Sequence, residues 1–297
     1  MSLVLLATCS DWPHGEPGAP ALDAALAARG IRSRWACWDD AGVDWAAADL
    51  VAVRATWDYT ERPGEFLAWA RRLDPARLLN SADVFSWNLD KAYLVGLADL
   101  PAVPTVAADS DAELREAVAA TLSSYGGAVV KPRTGANGAG VIVVDSPGDP
   151  RLGRNLPAEL PGLRGATGPW AVQPLVASVR TEGESSVFVV GGRAVSQVDK
   201  RPGGEEIRVH EHFGGDSTAV PLRDEAADLA VRAVATASER LGGPLDYARV
   251  DLMRLDDGRL AVSELEAIEP GLHLDVLPAN AEPFADLVEL RLATAPR

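Results

Sequence analysis

Two stretches of this chain place residue types at spacings that could do chemistry. In "VVKPRTGANGAGVIVV", residues 129–144, Lys131 precedes Gly135, Asn137, Gly138 and Gly140. The order is wrong for a Walker A loop, whose glycines lead into Lys-Ser/Thr and a helix, and it is not a G-x-G-x-x-G fingerprint. Strand-like runs flank the glycines on both sides, so they belong at the tip of a β-hairpin. Backbone N–H groups there could fold over phosphates while Lys131 reaches the same anion. A glycine-rich surface turn is the competing reading, and the commoner one for a lone cluster.

The second stretch is "RVDLMRLDDGRLAVSELEAIEP", residues 249–270. Two strands joined by a "DDG" turn carry Asp251, Glu264 and Glu266. Glu264 and Glu266 are two apart and share a strand face, and Asp251 can meet them from the neighbouring strand. Three carboxylates on one face persist either in solvent or around a hard cation; Mg²⁺ held by carboxylates and substrate phosphates fits this set. Val262, Leu265 and Ile268 interleave with them, as expected of a strand whose other side is apolar. Arg249 shares the face of Asp251 and is either a structural ion pair or a stabiliser of charge developing in phosphoryl or acyl transfer. Lys91, Lys200 and Arg208 also stand apart from obvious helix-face pairs, though each alone reads equally as a solvated surface residue. His210 and His212 in "VHEH" lack a third His or Cys nearby, which argues against zinc or iron. No G-x-S-x-G elbow supports a serine hydrolase.

These residues need a scaffold. A length of 297 residues predicts two or three compact units, and 47% hydrophobic with 24% charged residues is the profile of an ordinary globular chain. The net charge of −15 argues against nucleic acid and anionic membranes as partners. No apolar run approaches the roughly 20 residues of a membrane span, and no signal-peptide pattern opens the chain, so the cytoplasm is the expected compartment. Cys9 and Cys37 read as small buried hydrophobes.

"SLVLLA", a helix over "PALDAALAARG" ending at Gly30, and "ADLVAVRAT" followed by "PGEFLAWARRL" form a βαβ-like start. Seven of the eight tryptophans lie between Trp12 and Trp87, marking a separate first unit; Trp57, at a strand end, is positioned to line a pocket. A capping box from Ser110 to Glu113 opens an amphipathic helix, the glycine hairpin follows, and residues 146–169 read as loop. Later strands turn at Gly191-Gly192. "DEAADLAVRAVATASERLGG" is a helix burying Ala226, Ala230, Ala233, Val234, Ala237 and Leu241, stopped by Gly242. The order predicts an α+β fold with units at 1–87, 88–172 and 173–297.

Taken in order, "NLDK", "VVKPRTGANGAG", "VQPLV", "GESSVFVVGGRAV", "IRVHEHFGG" and "RVDLMRLDDGRLAVSELEAIEP" resemble the ATP-grasp ligases of the glutathione synthetase type, over about residues 85 to 285. The ordered set is specific although no single piece is. The resemblance implies two antiparallel α+β subdomains holding ATP and Mg²⁺, preceded by a βα pre-ATP-grasp domain. Carried across, Lys91 and Lys131 contact phosphates and Gly135, Asn137, Gly138 and Gly140 form the lid. Gln173, Leu175 and Val176 lie in the adenine-reading hinge, Glu184 takes the ribose with Lys200 nearby, and Asp251, Glu264 and Glu266 hold the metal. Two positions depart from the family pattern: Ser185-Ser186 follow Glu184 where acid-x-Arg is common, and Glu266 stands where Asn is usual.

"RATWDY", "WNLDK", "IRV…GG" and "ELEAIEP" are similar to segments of the small ATP-grasp enzymes of cycloserine biosynthesis. That likeness implies activation of O-ureido-serine as an acyl phosphate and ring closure by an internal nitrogen. Arg208 and Arg249 are then the expected catalytic cations, and Asp11, Arg54, Asp58, Arg208, Gly214 and Gly215 the expected contacts to a small amino-acid-like substrate. An intermolecular amino-acid or peptide ligase and a non-catalytic nucleotide-binding module are the rival readings. Self-association into a homo-oligomer is left open.

Overall fold

In the computed structural model, residues 2–97, 99–153 and 168–294 are described. Most of the stretch expected to be loop at 146–169 lies outside them. The chain opens with β1 (Leu3–Thr8), α1 (Ala19–Ala28), β2 (Arg32–Cys37) and β3 (Leu50–Ala55), which make a parallel sheet in the order β2-β1-β3. Pro20 in the first turn of α1 and Gly30 at φ 70 bound the helix as its sequence predicts. β1 is covered on both faces, so Val4 and Leu6 belong to one core and Leu5 and Ala7 to another. Two helices, α2 (Pro63–Ala70) and α3 (Ala82–Asn88), complete the tryptophan-rich side, where Trp38, Phe66 and Trp69 pack at ring separations of 5.5 to 6.1 Å.

The middle of the chain forms an antiparallel sheet in the order β4-β7-β5-β6, from β4 (Val106–Ala108), β5 (Ala128–Pro132), β6 (Ile142–Val144) and β7 (Trp170–Pro174). It is backed by α4 (Asp111–Tyr125), whose Ser110 cap accepts from Glu113 N while Glu113 reaches back to Asp109 N. β5 and β6 pair Ala128 with Val144 and Val130 with Ile142, so the glycines lie at a hairpin tip as expected.

A third sheet, in the order β10-β9-β8-β11-β12, is built from β8 (Glu184–Val190), β9 (Arg193–Arg201), β10 (Asp216–Val220), β11 (Tyr247–Arg254) and β12 (Leu260–Glu266). Gly191 and Gly192, at φ 55 and 75, supply the tight turn between β8 and β9. Helix α5 (Asp224–Leu241) covers one face; it buries the predicted alanines and also Leu229, with Leu241 at the margin.

The expected seams need correction. β7 crosses 172/173 and belongs whole to the middle sheet, while Tyr93, Leu94 and Leu97 sit in the core shared by the first and third units. The final helix, α6 (Ala281–Thr294), is a further surprise. It returns to the first unit, where Phe284 and Val288 pack among Val4, Leu6, Leu22 and Leu26. Arg29 of α1 secures it through Glu282 at 2.8 Å and Asp286 at 2.5 Å. Among the described residues no helix is long and apolar enough to cross a membrane.

Candidate active site

Two cavities meet where the three sheets converge. The first, about 160 Å³, runs between the middle sheet and the inner face of β11 and β12. Its inner end is an apolar slot of Val103, Val129, Leu175, Val176, Val179 and Met253, suited to a flat heteroaromatic ring. Gln173 sits at the edge of the slot with its amide donating to Thr105 Oγ1 at 2.8 Å.

The outer end is ionic. The β11–β12 register sets Asp251 against Glu264 and Arg249 against Glu266, so the period-2 reading of both strands holds. Each carboxylate is met by a cation. Lys91 Nζ lies 2.7 Å from Glu264, Lys131 Nζ 3.9 Å from it, and Lys200 Nζ bridges Glu184 at 2.6 Å and Asp251 at 3.3 Å. Arg249 pairs with Asp251 at 2.9 Å and also with Glu266. Ser186 donates to Asp251 at 2.6 Å, and Ser263 to Glu184 at 3.1 Å, which gives the Ser185-Ser186 departure a structural role.

Burial opposes every one of these charges, and the neighbours decide the outcome. Asp251 stays far below the usual carboxylate range because Arg249 and Lys200 outweigh burial, and Glu264 is lowered by Lys91 and Lys131. Burial and the surrounding acids instead push Glu266 up to about 7. Lys131 falls below the ordinary lysine value through burial, only partly offset by Glu264, whereas Lys91 rises because Glu264 more than compensates.

Among the described residues no three His, Cys, Asp or Glu converge closely enough to hold a metal unaided. Hard carboxylate oxygens are nevertheless the donors that Mg²⁺ takes, and it needs only one or two of them when phosphates supply the rest. The residues therefore fit Mg²⁺ carried in with a nucleotide. A polyphosphate would give Lys91, Lys131 and Arg249 new partners and release Asp251, Glu264 and Glu266 for the metal. The glycine hairpin closes the mouth: Asn137, Gly138 and Gly140 all have positive φ, at 54, 69 and 72. A Cβ on Gly138 would lie 3.2 Å from Arg208 and His210 and 3.3 Å from Phe213, so this glycine permits the hairpin to settle on the loop before β10. His212 Nε2 donates to Asn137 O at 3.0 Å, and the Arg208 guanidinium stacks on Phe213 at 3.5 Å.

The second cavity, about 270 Å³, lies beyond the carboxylates, between the third sheet and loops of the first unit. It shares Lys200, His210, Arg249, Glu266 and Glu269 with the first. Trp57 lines it, as its strand-end position suggested, edge-on to Trp12 at 5.4 Å.

Of the expected site residues, the structure brings Lys91, Lys131, Gly135, Asn137, Gly138, Gln173, Leu175, Val176, Glu184, Lys200, Arg208, Arg249, Asp251, Glu264 and Glu266 to the first cavity. Six others stand outside both cavities. Arg54 is fully buried, its guanidinium on Glu16 at 2.6 Å and Pro270 O at 2.9 Å and stacked over Phe284, an internal ion pair in this structure. Asp58 is taken up by Trp38 Nε1 and Arg62, and Asp11 is exposed. Gly214 and Gly215 shape the loop instead: a Cβ on Gly215 would lie 2.2 Å from Val209 O. Gly140 provides a positive φ behind the hairpin tip.

Sequence reasoning missed Glu16, Glu269 and His273, all on the second cavity. Glu269 is buried beside Tyr59, and burial together with Glu266 pushes its carboxyl up to about 8. His273 holds a positive φ of 51, and burial with Arg249 and Lys200 holds its ring down to about 3, hence neutral. No local signal marked them: Glu269 lies past the end of β12, and period two would put it off the face of Glu264 and Glu266.

Residues 4–80 match the family model described as the N-terminal domain of D-cycloserine synthetase DcsG. Over 290 residues the chain is 30% identical to cycloserine biosynthesis protein DcsG of Streptomyces lavendulae, covering 92% of this chain and 93% of that protein. The crystal structure of D-cycloserine synthetase DcsG superposes with a TM-score of 0.80 at 28% identity, over 98% of this chain and 100% of that one. D-alanyl-alanine synthetase A of Vibrio cholerae O1 biovar eltor shares the fold at a TM-score of 0.65 and 12% identity, over 99% and 98% of the two chains. The ATP-grasp ligase PsnB does so at 0.63 and 18%, over 98% and 99%. With its three sheets, its paired cavities and a relative alike along nearly its whole length, the chain belongs to the DcsG family of D-cycloserine synthetases, ligases of the ATP-grasp fold.

Proposed function

We propose that this ligase uses ATP and Mg²⁺ to convert the carboxylate of a small amino-acid-like substrate, O-ureido-D-serine, into an acyl phosphate that an internal nitrogen captures, closing the ring of D-cycloserine. The observation that carries this reading is the shared wall. Lys200, Arg249 and Glu266 face both cavities, so a γ-phosphate in one and a carboxylate in the other would meet over the same cations.

The adenine would occupy the apolar slot, with the backbone from Gln173 to Val176 reading its edge and Glu184 at the ribose. Lys91 and Lys131 would leave Glu264 for the phosphates, and Asp251, Glu264 and Glu266 would hold the metal. Bound Mg²⁺ supplies neutralisation of the phosphate charge during transfer. Arg249 and Arg208 act as fixed cations beside the oxygens on which charge accumulates. The hairpin, pressed on Arg208, His210 and Phe213, keeps water from the acyl phosphate. A need for ATP supports the cytoplasm as the compartment of the reaction.

The test is ADP release on adding O-ureido-D-serine, in wild type and in Lys131→Ala. Substrate-dependent release that fails without Lys131 supports the reading. Release that requires a separate amine would assign intermolecular ligation instead, and normal turnover in Lys131→Ala would refute the site.

A further inference from the structure

Ring closure leaves a proton to be removed. A ureido nitrogen is a weak nucleophile because its lone pair is delocalised, and its N–H must be lost as the C–N bond forms. Resting on the function proposed above, we infer that His210 is the catalytic residue that accepts this proton.

Three observations support it. His210 lines both cavities, at the junction where an acyl phosphate formed from a phosphate on one side and a carboxylate on the other must lie. Its Nδ1 is buried beneath the hairpin at Gly138 and has no hydrogen-bond partner among the described residues, so the ring nitrogen is not committed to the fold. The ring is also held in place: it packs 5.5 Å from the His212 ring and against the Gly138 backbone, so hairpin closure fixes its orientation.

Among the rival groups nearby, Glu269 also lines both cavities, but burial and Glu266 push it up to about 8, so at neutral pH it already holds a proton; the others are committed elsewhere. His212 donates to Asn137 O. His273 lines only the second cavity. Lys200 and Arg249 are charged and cannot accept, and Asp251 and Glu266 are paired with Arg249. Burial, with Lys200, His212 and Arg249 adding to it, keeps the His210 ring down to about 3 and therefore unprotonated before reaction. Lys200 and Arg249 are also the cations that phosphate would neutralise, so their share of the depression is relieved when the site is loaded, while that of burial stays.

In the step itself the nitrogen lone pair forms the C–N bond to the acyl carbonyl and its proton passes to the imidazole. The C–O bond to phosphorus-bearing oxygen breaks, and inorganic phosphate leaves with that electron pair. The carbamoyl group of the ureido is left on the ring nitrogen, and one water is the further reactant that removes it as carbamic acid, which falls to carbon dioxide and ammonia and leaves D-cycloserine.

The experiment partitions the acyl phosphate. Hydroxylamine, largely unprotonated at neutral pH, attacks it without a base and gives a hydroxamate, whereas ring closure needs the proton acceptor. Wild type, His210→Ala and His210→Gln are compared for ring product against hydroxamate at saturating ATP and O-ureido-D-serine. In His210→Ala the ratio of ring product to hydroxamate should fall about 100-fold or more, the usual worth of a positioned base. His210→Gln, which keeps a polar side chain of similar reach, should fall as far, and added imidazole should restore part of the ratio in His210→Ala only. An unchanged ratio in both variants, or restoration of closure by glutamine, overturns the assignment. Absence of any substrate-dependent ADP release from wild type would instead refute the proposed function.

Discussion

Glu264→Gln separates nucleotide binding from metal use in a way peculiar to this site. Glu264 is the carboxylate on which both phosphate-seeking lysines rest, Lys91 at 2.7 Å and Lys131 at 3.9 Å, with side-chain exposures of 14%, 11% and 23% for the two lysines and Glu264. At an effective dielectric near 20, a pair 4 Å apart is worth about 4 kcal/mol of attraction before desolvation. Breaking a buried pair typically costs about 3 to 5 kcal/mol, and the residual exposure of this one places it at the lower end, near 3. The nucleotide-free variant should therefore melt several degrees lower.

Both lysines would then face the nucleotide with nothing to surrender. Metal-free ATP should bind at least about tenfold tighter to Glu264→Gln than to wild type, a gain of about 1.4 kcal/mol out of the interaction no longer broken. Mg²⁺-supported turnover should fall about 100-fold or more, because a metal ligand is gone. Calorimetric titration of ATP in EDTA and in Mg²⁺, with ADP release measured alongside, reads both quantities. Unchanged or weaker metal-free binding, or turnover near wild type, would refute the idea that Glu264 is shared between lysine and metal.

Three further outcomes follow from the geometry. Glu269 is pushed up to about 8 by burial and Glu266, so between its ordinary pKa near 4.5 and 8 the unfolded chain is ionised while the folded protein stays protonated. Stability must then fall as pH rises through that window, by at most about 5 kcal/mol, and Glu269→Gln should flatten the decline in denaturant midpoints between pH 5 and 8. Gly138→Ala meets both a φ of 69 and neighbours at 3.2 Å, so the hairpin should close less often. The expected readout is a severalfold higher KM for ATP and more ADP released per ring product, with little change in melting temperature. Arg54→Met leaves the buried Glu16 carboxylate without its guanidinium and should cost about 3 to 5 kcal/mol in thermal or urea unfolding; loss of activity without loss of stability would restore Arg54 as a substrate contact.

The ionic half of the site was legible because it is written in strands. A period of two puts Arg249 with Asp251 and Glu264 with Glu266, and one short turn fixes their register, so distance along the chain determined proximity. The hairpin was legible for the same reason. What failed to show was set by distant packing. Arg54 stands at the end of a buried strand like a substrate residue, and only the arrival of Tyr247, Phe284 and Glu16 around it reveals an internal ion pair. Glu16, Glu269 and His273 sit in loops, without periodicity, and are gathered by contacts between units. Helix α6 was passed over because its buried positions answer to the first strand of the chain and not to its neighbours in sequence.

That return of α6 has a bearing on how the protein comes into being. Val4, Leu6, Leu22 and Leu26 share their core with Phe284, Leu287 and Val288, which are synthesised long after them. Until then the opening βα segment lacks part of its cover, a state in which chaperone binding or aggregation competes with folding. The middle sheet, whose core draws only on residues between Ala108 and Val172, is under no such constraint and can assemble while synthesis continues. Maturation of this ligase is thus expected to complete the core of the middle sheet before that of the first unit, which waits for α6.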